Sequence, residues 1–266
     1  TIFIEISESK YIIFPDAQGS TIDGTGHQIV YVEDISGAGW GTITYTDLGF
    51  PQAEFLPYDI DIDSAGRIYT ANYSNSTSIG IIRLDDLTDN TYEEVKTGIR
   101  IGSIAVDRDN DYIYYYYLGG DYDVLARKKI QGSTIGGEET FSVYGASDGS
   151  GYTVGGFNPY DLAVNQSSGT VYFIHYNSDL VSYEILEVDP DLPFSERIVS
   201  HQTVSISVTH GQLIIKTVKF LSVLFMMILT RVRCSNIPLI WIMKINLPEN
   251  RVEVIRSSVS NGLSVS

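Results

Sequence analysis

LPYDIDIDSAGRIYTANY, Leu56 to Tyr73, decides the fold because the chain repeats it. The same grammar returns as IGSIAVDRDNDYIYYYY from Ile101 to Tyr117, as NPYDLAVNQSSGTVYFIHY from Asn158 to Tyr176, and in worn form as IEISESKYIIF from Ile4 to Phe14. In each copy an alternating apolar strand runs into a polar turn, and an aromatic-rich strand leads away from it. The anchors of the turns are Ser7, Asp63, Asp107 and Asn165, spaced by 56, 44 and 58 residues. Asp and Asn suit these places because their side chains bond the backbone two residues on, and a following Gly such as Gly66 or Gly169 permits positive φ.

A second motif follows each hairpin: IVYVEDISGAGW from Ile29, IIRLDDLTDNTYEEV from Ile81, VLARKKIQGSTIGGEETF from Val124 and ILEVDPDLPFSERI from Ile185. It reads as a third strand whose polar turn feeds a short fourth strand. Four antiparallel strands in a unit of roughly 45 to 55 residues match one blade of a propeller. No helical periodicity of useful length precedes residue 203, so the expected class is all-β, a β-propeller of four-stranded antiparallel blades that is incomplete, with four legible blades and a garbled fifth.

The chain changes character near residue 203. Residues 1–202 hold all 19 tyrosines, 22 of the 24 glycines and 31 of the 33 acidic residues; residues 203–266 hold Met226, Met227, Met243 and Cys234, with seven basic residues against two acidic. The first part therefore carries a net charge of −21 and the second +5. A membrane span does not explain the break, because the longest apolar stretch without charge, Phe220 to Thr230, is about half the roughly 20 residues a helical span needs. A shifted reading frame does. If each true codon joins the third base of one printed codon to the first two of the next, Met226 with Met227 encodes Asp, as does Met227 with Ile228; Phe225 with Met226 gives Tyr or His, Trp241 with Ile242 gives Asp, and Met243 with Lys244 gives Glu. No stop is forced from Lys216 to Asn250, and the hidden text has the vocabulary of the first 202 residues. Residues 1–202 are expected to be propeller blades, and residues 203–266 a frameshifted continuation with no domain of its own, the crossover lying between Pro190 and Gln212.

The net charge of −16 opposes nucleic acid and anionic membranes as partners. Without cysteine before residue 203, neither a disulfide framework nor a cysteine-ligated zinc site is available there. Because Thr1 stands inside what reads as a strand, the chain is expected to be a fragment or processed product, and a signal peptide cannot be judged from it.

The pattern PxDIxxDxxGxIY at Pro57 to Tyr69, with the outer-strand text VYVEDISGAGW at Val30 to Trp40, resembles bacterial NHL-repeat propellers and their six-bladed relatives. The copy IRLDDLT from Ile82 keeps Asp85-Asp86-Leu87-Thr88 but lacks the Gly-Ala-Gly-Trp ending. Such folds host binding proteins and enzymes alike. The expectation taken here is a non-enzymatic binding or scaffold module, exported to a bacterial cell envelope or exterior, that takes a protein or glycan on its loop face and uses no cofactor. The resemblance also permits a metal-assisted enzyme of the lactonase or lyase type, with calcium as the metal and Asp59, Asp161 and His175 as the candidate ligands.

Individual residues admit two roles each. Asp59, Asp61 and Asp63 share one face of a strand and could hold a cation near the axis; repetition at the same blade position favours structure instead, with Asp63 and Asp107 capping turns and Asp59 and Asp161 bonding neighbouring backbone. Asp107, Asp109 and Asp111 have the alternate spacing of a calcium loop, but Tyr112 stands where its glycine belongs and Leu118 where its glutamate belongs. In the run Tyr112, Tyr114, Tyr115, Tyr116, Tyr117, packing between blades is favoured over a ligand platform, for which Tyr115 and Tyr117 are the candidates. Arg127, Lys128 and Lys129 read as a solvated strand end or turn, and the Ser/Gly-rich stretch from Gly145 to Gly156 as a mobile loop.

Overall fold

A computed structural model describes residues 4–5, 11–16, 27–33, 40–74, 79–88, 90–119, 122–155, 159–209, 212–217, 240–245 and 252–257. The first sheet contains β1 (Ile4–Glu5), β2 (Tyr11–Asp16), β3 (Gln28–Glu33) and β4 (Trp40–Thr44); the second, β5 (Pro57–Ile62), β6 (Ile68–Asn72), β7 (Ile81–Leu84) and β8 (Glu93–Lys96). The third contains β9 (Ile101–Asp107), β10 (Tyr112–Gly119), β11 (Tyr122–Gln131) and β12 (Thr134–Phe141). The fourth runs β13 (Pro159–Val164), β14 (Val171–Asn177), β15 (Ser182–Val188), β16 (Ile198–Thr209) and a fifth strand, β17 (Gln212–Thr217). A separate pair joins β18 (Ile240–Ile245) to β19 (Val252–Ser257). Each sheet is an antiparallel meander in sequence order, and β5 lies against β9 as β9 does against β13. The chain is an all-β, incomplete propeller: four consecutive blades, the second to fourth with their first strands innermost, not closed into a ring.

The turn chemistry is as the repeats require. Asp63 Oδ1 accepts from the N–H groups of Ala65 and Arg67, both at 2.9 Å, Asp107 Oδ1 from those of Asp109 and Asn110 at 3.1 and 2.9 Å, and Asn165 Oδ1 from that of Ser167 at 3.1 Å. Asp63 and Asp107 are buried while Asp109 and Asp111 are exposed, so these carboxylates close turns and do not converge as a calcium loop.

Blade stacking explains the tyrosine run. A strand inside a propeller has a neighbouring blade on each face, and successive side chains go to alternate faces. Tyr114 and Tyr116 join Leu162, Val171 and Phe173 in the core between the third and fourth blades. Ile113 and Tyr115 join Tyr69, Ala71, Ile81 and Val95 in the core between the second and third. A third core packs Ile13, Ile29 and Ile43 of the first blade on Ile60, Ile62, Ile68 and Ile82 of the second. The basic run obeys the same alternation and corrects its reading as a solvated end. Arg127 is buried and reaches Asp191 of the fourth blade at 2.6 Å, whereas Lys128 donates to the Val95 carbonyl of the second at 2.6 Å.

The stretch from Gly145 to Gly155 also differs from the mobile loop expected there; Gly156 lies outside the described residues. Gly145 N–H donates to the Val154 carbonyl at 2.8 Å, Val154 N–H to the Ala146 carbonyl at 2.9 Å, and Ser147 pairs with Thr153. Ala146 and Val154 are buried in the core between the third and fourth blades. Two small apolar residues among serines and glycines carry little periodic signal, so composition alone suggests solvent.

Candidate functional site

The inner strands begin on the face where the loops between blades arrive, opposite the polar turns at Asp63, Asp107 and Asn165. Each carries the same irregularity near its start. Pairing to the second strand jumps between Pro57 and Asp59, opposite Tyr116/Tyr117 in the third blade, and between Pro159 and Asp161. The bulged residues are Tyr58, Gly102 and Tyr160, and the residues following them are Asp59, Ser103 and Asp161. A bulge bends the strand and re-aims its neighbours. Here it turns Asp59 into the blade interface, where it is buried, and leaves Tyr58 36 % exposed on the loop face.

The three residues after the bulges tie blades together. Asp59 Oδ2 accepts from Ser103 Oγ at 2.5 Å and from Ile104 N–H of the next blade at 2.9 Å, while its Oδ1 accepts from Ile60 N–H at 2.8 Å. Ser103 Oγ in turn lies 2.9 Å from Asp161 Oδ1 of the fourth blade. One turn lower on β5, Asp61 Oδ2 accepts from Val106 N–H at 2.7 Å and Arg108 reaches Asp61 Oδ1 at 3.2 Å. Burial pushes Asp59 up to about 6; it pushes Asp161 up to about 7, helped by the charge of Asp59.

This donor set does not fit a metal at the axis. Both oxygens of Asp59 already accept hydrogen bonds from backbone N–H groups. His175 occupies the rung paired with Pro159, and its Nε2 faces Glu184 Oε2 at 3.1 Å, within the sheet. Among the described residues no group of three His, Cys, Asp or Glu side chains is placed to hold a metal ion. Asn72 stands at the equivalent rung of the second blade, paired with Pro57, and there it holds the incoming loop through the Glu54 carbonyl at 2.6 Å and the Leu56 N–H at 2.5 Å. His175 belongs to a loop-pinning position too: Glu184, fully buried, takes hydrogen bonds from Tyr152 of the incoming loop and from Asn177 at 3.1 Å. Burial holds the His175 imidazole below its ordinary value, which keeps it neutral. The Glu184 network was not legible, since Tyr152 and Glu184 are 32 residues apart and no repeat relates them.

Tyr115 follows the favoured reading of its run and not the platform alternative: it lies fully inside the core with its hydroxyl on Glu138, so it offers no face to a ligand. Tyr117 is half-buried, stacked on Tyr115 with centroids 6.2 Å apart, and lies under Lys96. The loop face instead presents a group the sequence did not single out. Tyr58 stacks on Tyr73 at 4.9 Å between centroids and 28° between planes, and the Arg100 guanidinium lies 4.5 Å over the Tyr73 ring. Tyr58 lies at the bulge near the start of β5, Tyr73 follows β6 and Arg100 precedes β9, so a strand start and two loops converge there. A π-rich surface bearing a guanidinium can stack on a sugar ring or an aromatic side chain and donate hydrogen bonds beside it.

No family model matches the chain, and no curated protein matches it. Solved structures do. One is an auxiliary nutrient binding protein from Bacteroides thetaiotaomicron, at 11 % identity and TM-score 0.48 over 75 % of this chain and 40 % of that one. A protein named as a candidate 6-phosphogluconolactonase from Bacteroides fragilis matches at 15 % identity and TM-score 0.42, over 77 % of this chain and 57 % of that one. A chain of a nidogen/laminin complex matches at 14 % identity and TM-score 0.46, over 73 % of this chain and 61 % of that one. This chain thus spans less than two thirds of each of these structures. No helix among the described residues is long and apolar enough to cross a membrane.

Proposed function

We propose that the chain is part of a non-enzymatic binding or scaffold propeller of the NHL-repeat-like, six-bladed kind, exported to a bacterial cell envelope or exterior, and that it takes a protein or glycan on its loop face. The observation that carries this reading is the Tyr58, Tyr73 and Arg100 stack, an aromatic and cationic surface built from a strand start and two loops on the face where inner strands begin. It is supported by the repeated inner-strand residues, which are engaged in joining blades. A glycan array and a displayed peptide library, probed with the protein and with Tyr58→Ala, test it. Binding to one class that falls at least about tenfold in the variant, the loss of one good stacking contact, is the expected result; binding unchanged in the variant would remove the stack from the site. The metal-assisted alternative is tested separately, by divalent-metal content and a calcium-dependent thermal shift. Stoichiometric bound metal would favour the enzyme, and no metal with no shift the binding module.

The same proposal extends to residues 203–266 as a fifth blade printed in a shifted frame. The composition break near residue 203 supports this, and β16 runs across it, pairing with β15 as far as Val204, where β15 ends, and with β17 of the same sheet from Ser205 onward.

A further inference from the structure

Three consecutive blades meet at one hydroxyl, Ser103 Oγ, which stands 2.5 Å from Asp59 Oδ2 and 2.9 Å from Asp161 Oδ1. A serine hydroxyl has one hydrogen and can donate to one of these oxygens. If both carboxyls were ionised, the other contact would set lone pair against lone pair inside the blade interface. It closes as a hydrogen bond when one carboxyl carries a proton of its own and donates it to Oγ. The surrounding N–H groups decide which. Asp59 accepts from Ile60 and Ile104 N–H, one on each oxygen, whereas Asp161 accepts from Leu162 N–H at 2.9 Å. Negative charge is better satisfied on Asp59, so the proton belongs to Asp161. Leu162 N–H also points at Ser103 Oγ, at 3.3 Å, and occupies its second lone pair.

We propose that Asp161, Ser103 and Asp59 form a proton-held latch across the second, third and fourth blades, in which the Asp161 carboxyl donates to Ser103, Ser103 donates to the Asp59 carboxylate, and loss of the proton loosens the three inner strands. Burial, which raises both carboxyls, acts in the same sense. The other charged groups facing the pair among the described residues are Asp61 on β5, which raises Asp59 further, and Arg108 after β9, which is engaged with Asp61. In the unfolded chain both aspartates titrate at the ordinary value of about 4. Between there and the raised folded values the native protein binds the additional proton. The stability it contributes is therefore fully present below the unfolded value and is lost as pH rises through the folded one, by about tenfold in the folded-to-unfolded ratio per pH unit for one proton.

Urea unfolding of the full chain at about pH 5 and about pH 8, for wild type and for Asp161→Asn, tests the latch. The variant has no carboxyl at this position to hold a proton, so this part of the pH dependence is absent from it. Relief of repulsion in the acidic body is common to both proteins and cancels. The expected result is that acidification raises the wild-type folded-to-unfolded ratio at least about tenfold more than that of the variant; equal pH dependence in the two would overturn the proposal. Should Asp161→Asn fail to fold, carbon-13 titration of the wild-type side-chain carboxyls decides. One aspartate titrating at or above about pH 6 supports the latch, and every carboxyl titrating below that contradicts it.

Discussion

Strands β14 and β18 have similar lengths and similar propensity for a sheet, and they live in different settings. In VYFIHYN, Val171 to Asn177, every residue but Tyr176 is buried; the strand pairs on both edges, with β13 and β15, and Phe173 reaches the core shared with the third blade. In IWIMKI, Ile240 to Ile245, the strand pairs with β19 in a separate two-stranded sheet. What separates them is register relative to a repeat. The β14 residues fall on rungs whose equivalents in β6 and β10 do the same work, whereas β18 has no such equivalent in the printed text. Apolar runs make strands; a blade also needs its polar anchors in the right places.

Substitutions at equivalent depths can sharpen or break that contrast. The largest effect is expected for Phe173→Ala, which removes a ring that is 1 % exposed from the core between the third and fourth blades; about 3–5 kcal/mol should be lost in equilibrium unfolding. Gly102→Ala comes next. A Cβ there would run into the Tyr116 ring, which is buried in the core between the third and fourth blades, so about 1–3 kcal/mol is expected from the same measurement. Arg127→Met keeps the buried stem but removes the guanidinium that meets Asp191 at 2.6 Å and Glu139 at 2.8 Å. Both carboxylates are largely exposed, which limits the cost to about 1 kcal/mol. Ile242→Ala, in the region after the break, should change stability by no more than about 0.5 kcal/mol. A loss there as large as that of Phe173→Ala would mean that the printed tail packs as a selected part of the fold.

Much of the architecture was legible because blades repeat. Asp63 and Asp107 announced their turns, and the strand order followed from hairpin grammar. The structural role of Asp59 was legible too, since a residue recurring as Asp161 at the same rung serves the blade before it serves a ligand. The candidate site was far less legible. Tyr58, Tyr73 and Arg100 come from a strand and two loops, and only the bulge at Tyr58 brings the first into line with the others. Packing of the tyrosine run was legible, but not that Tyr115 meets the second blade while Tyr114 and Tyr116 meet the fourth. Arg127 and Lys128 look like one charge cluster, yet alternation sends them to different neighbours.

The contrast between the two regions rests on the reading frame, so the source DNA from the codon of Pro190 to that of Asn250 is the direct test. The account expects a single-base change of frame between Pro190 and Gln212, after which the restored text supplies Tyr-Asp-Asp in place of Phe225-Met226-Met227 and a Glu from Met243 with Lys244. An intact frame through Met226 and Met227, with expressed protein of the matching mass, would contradict it.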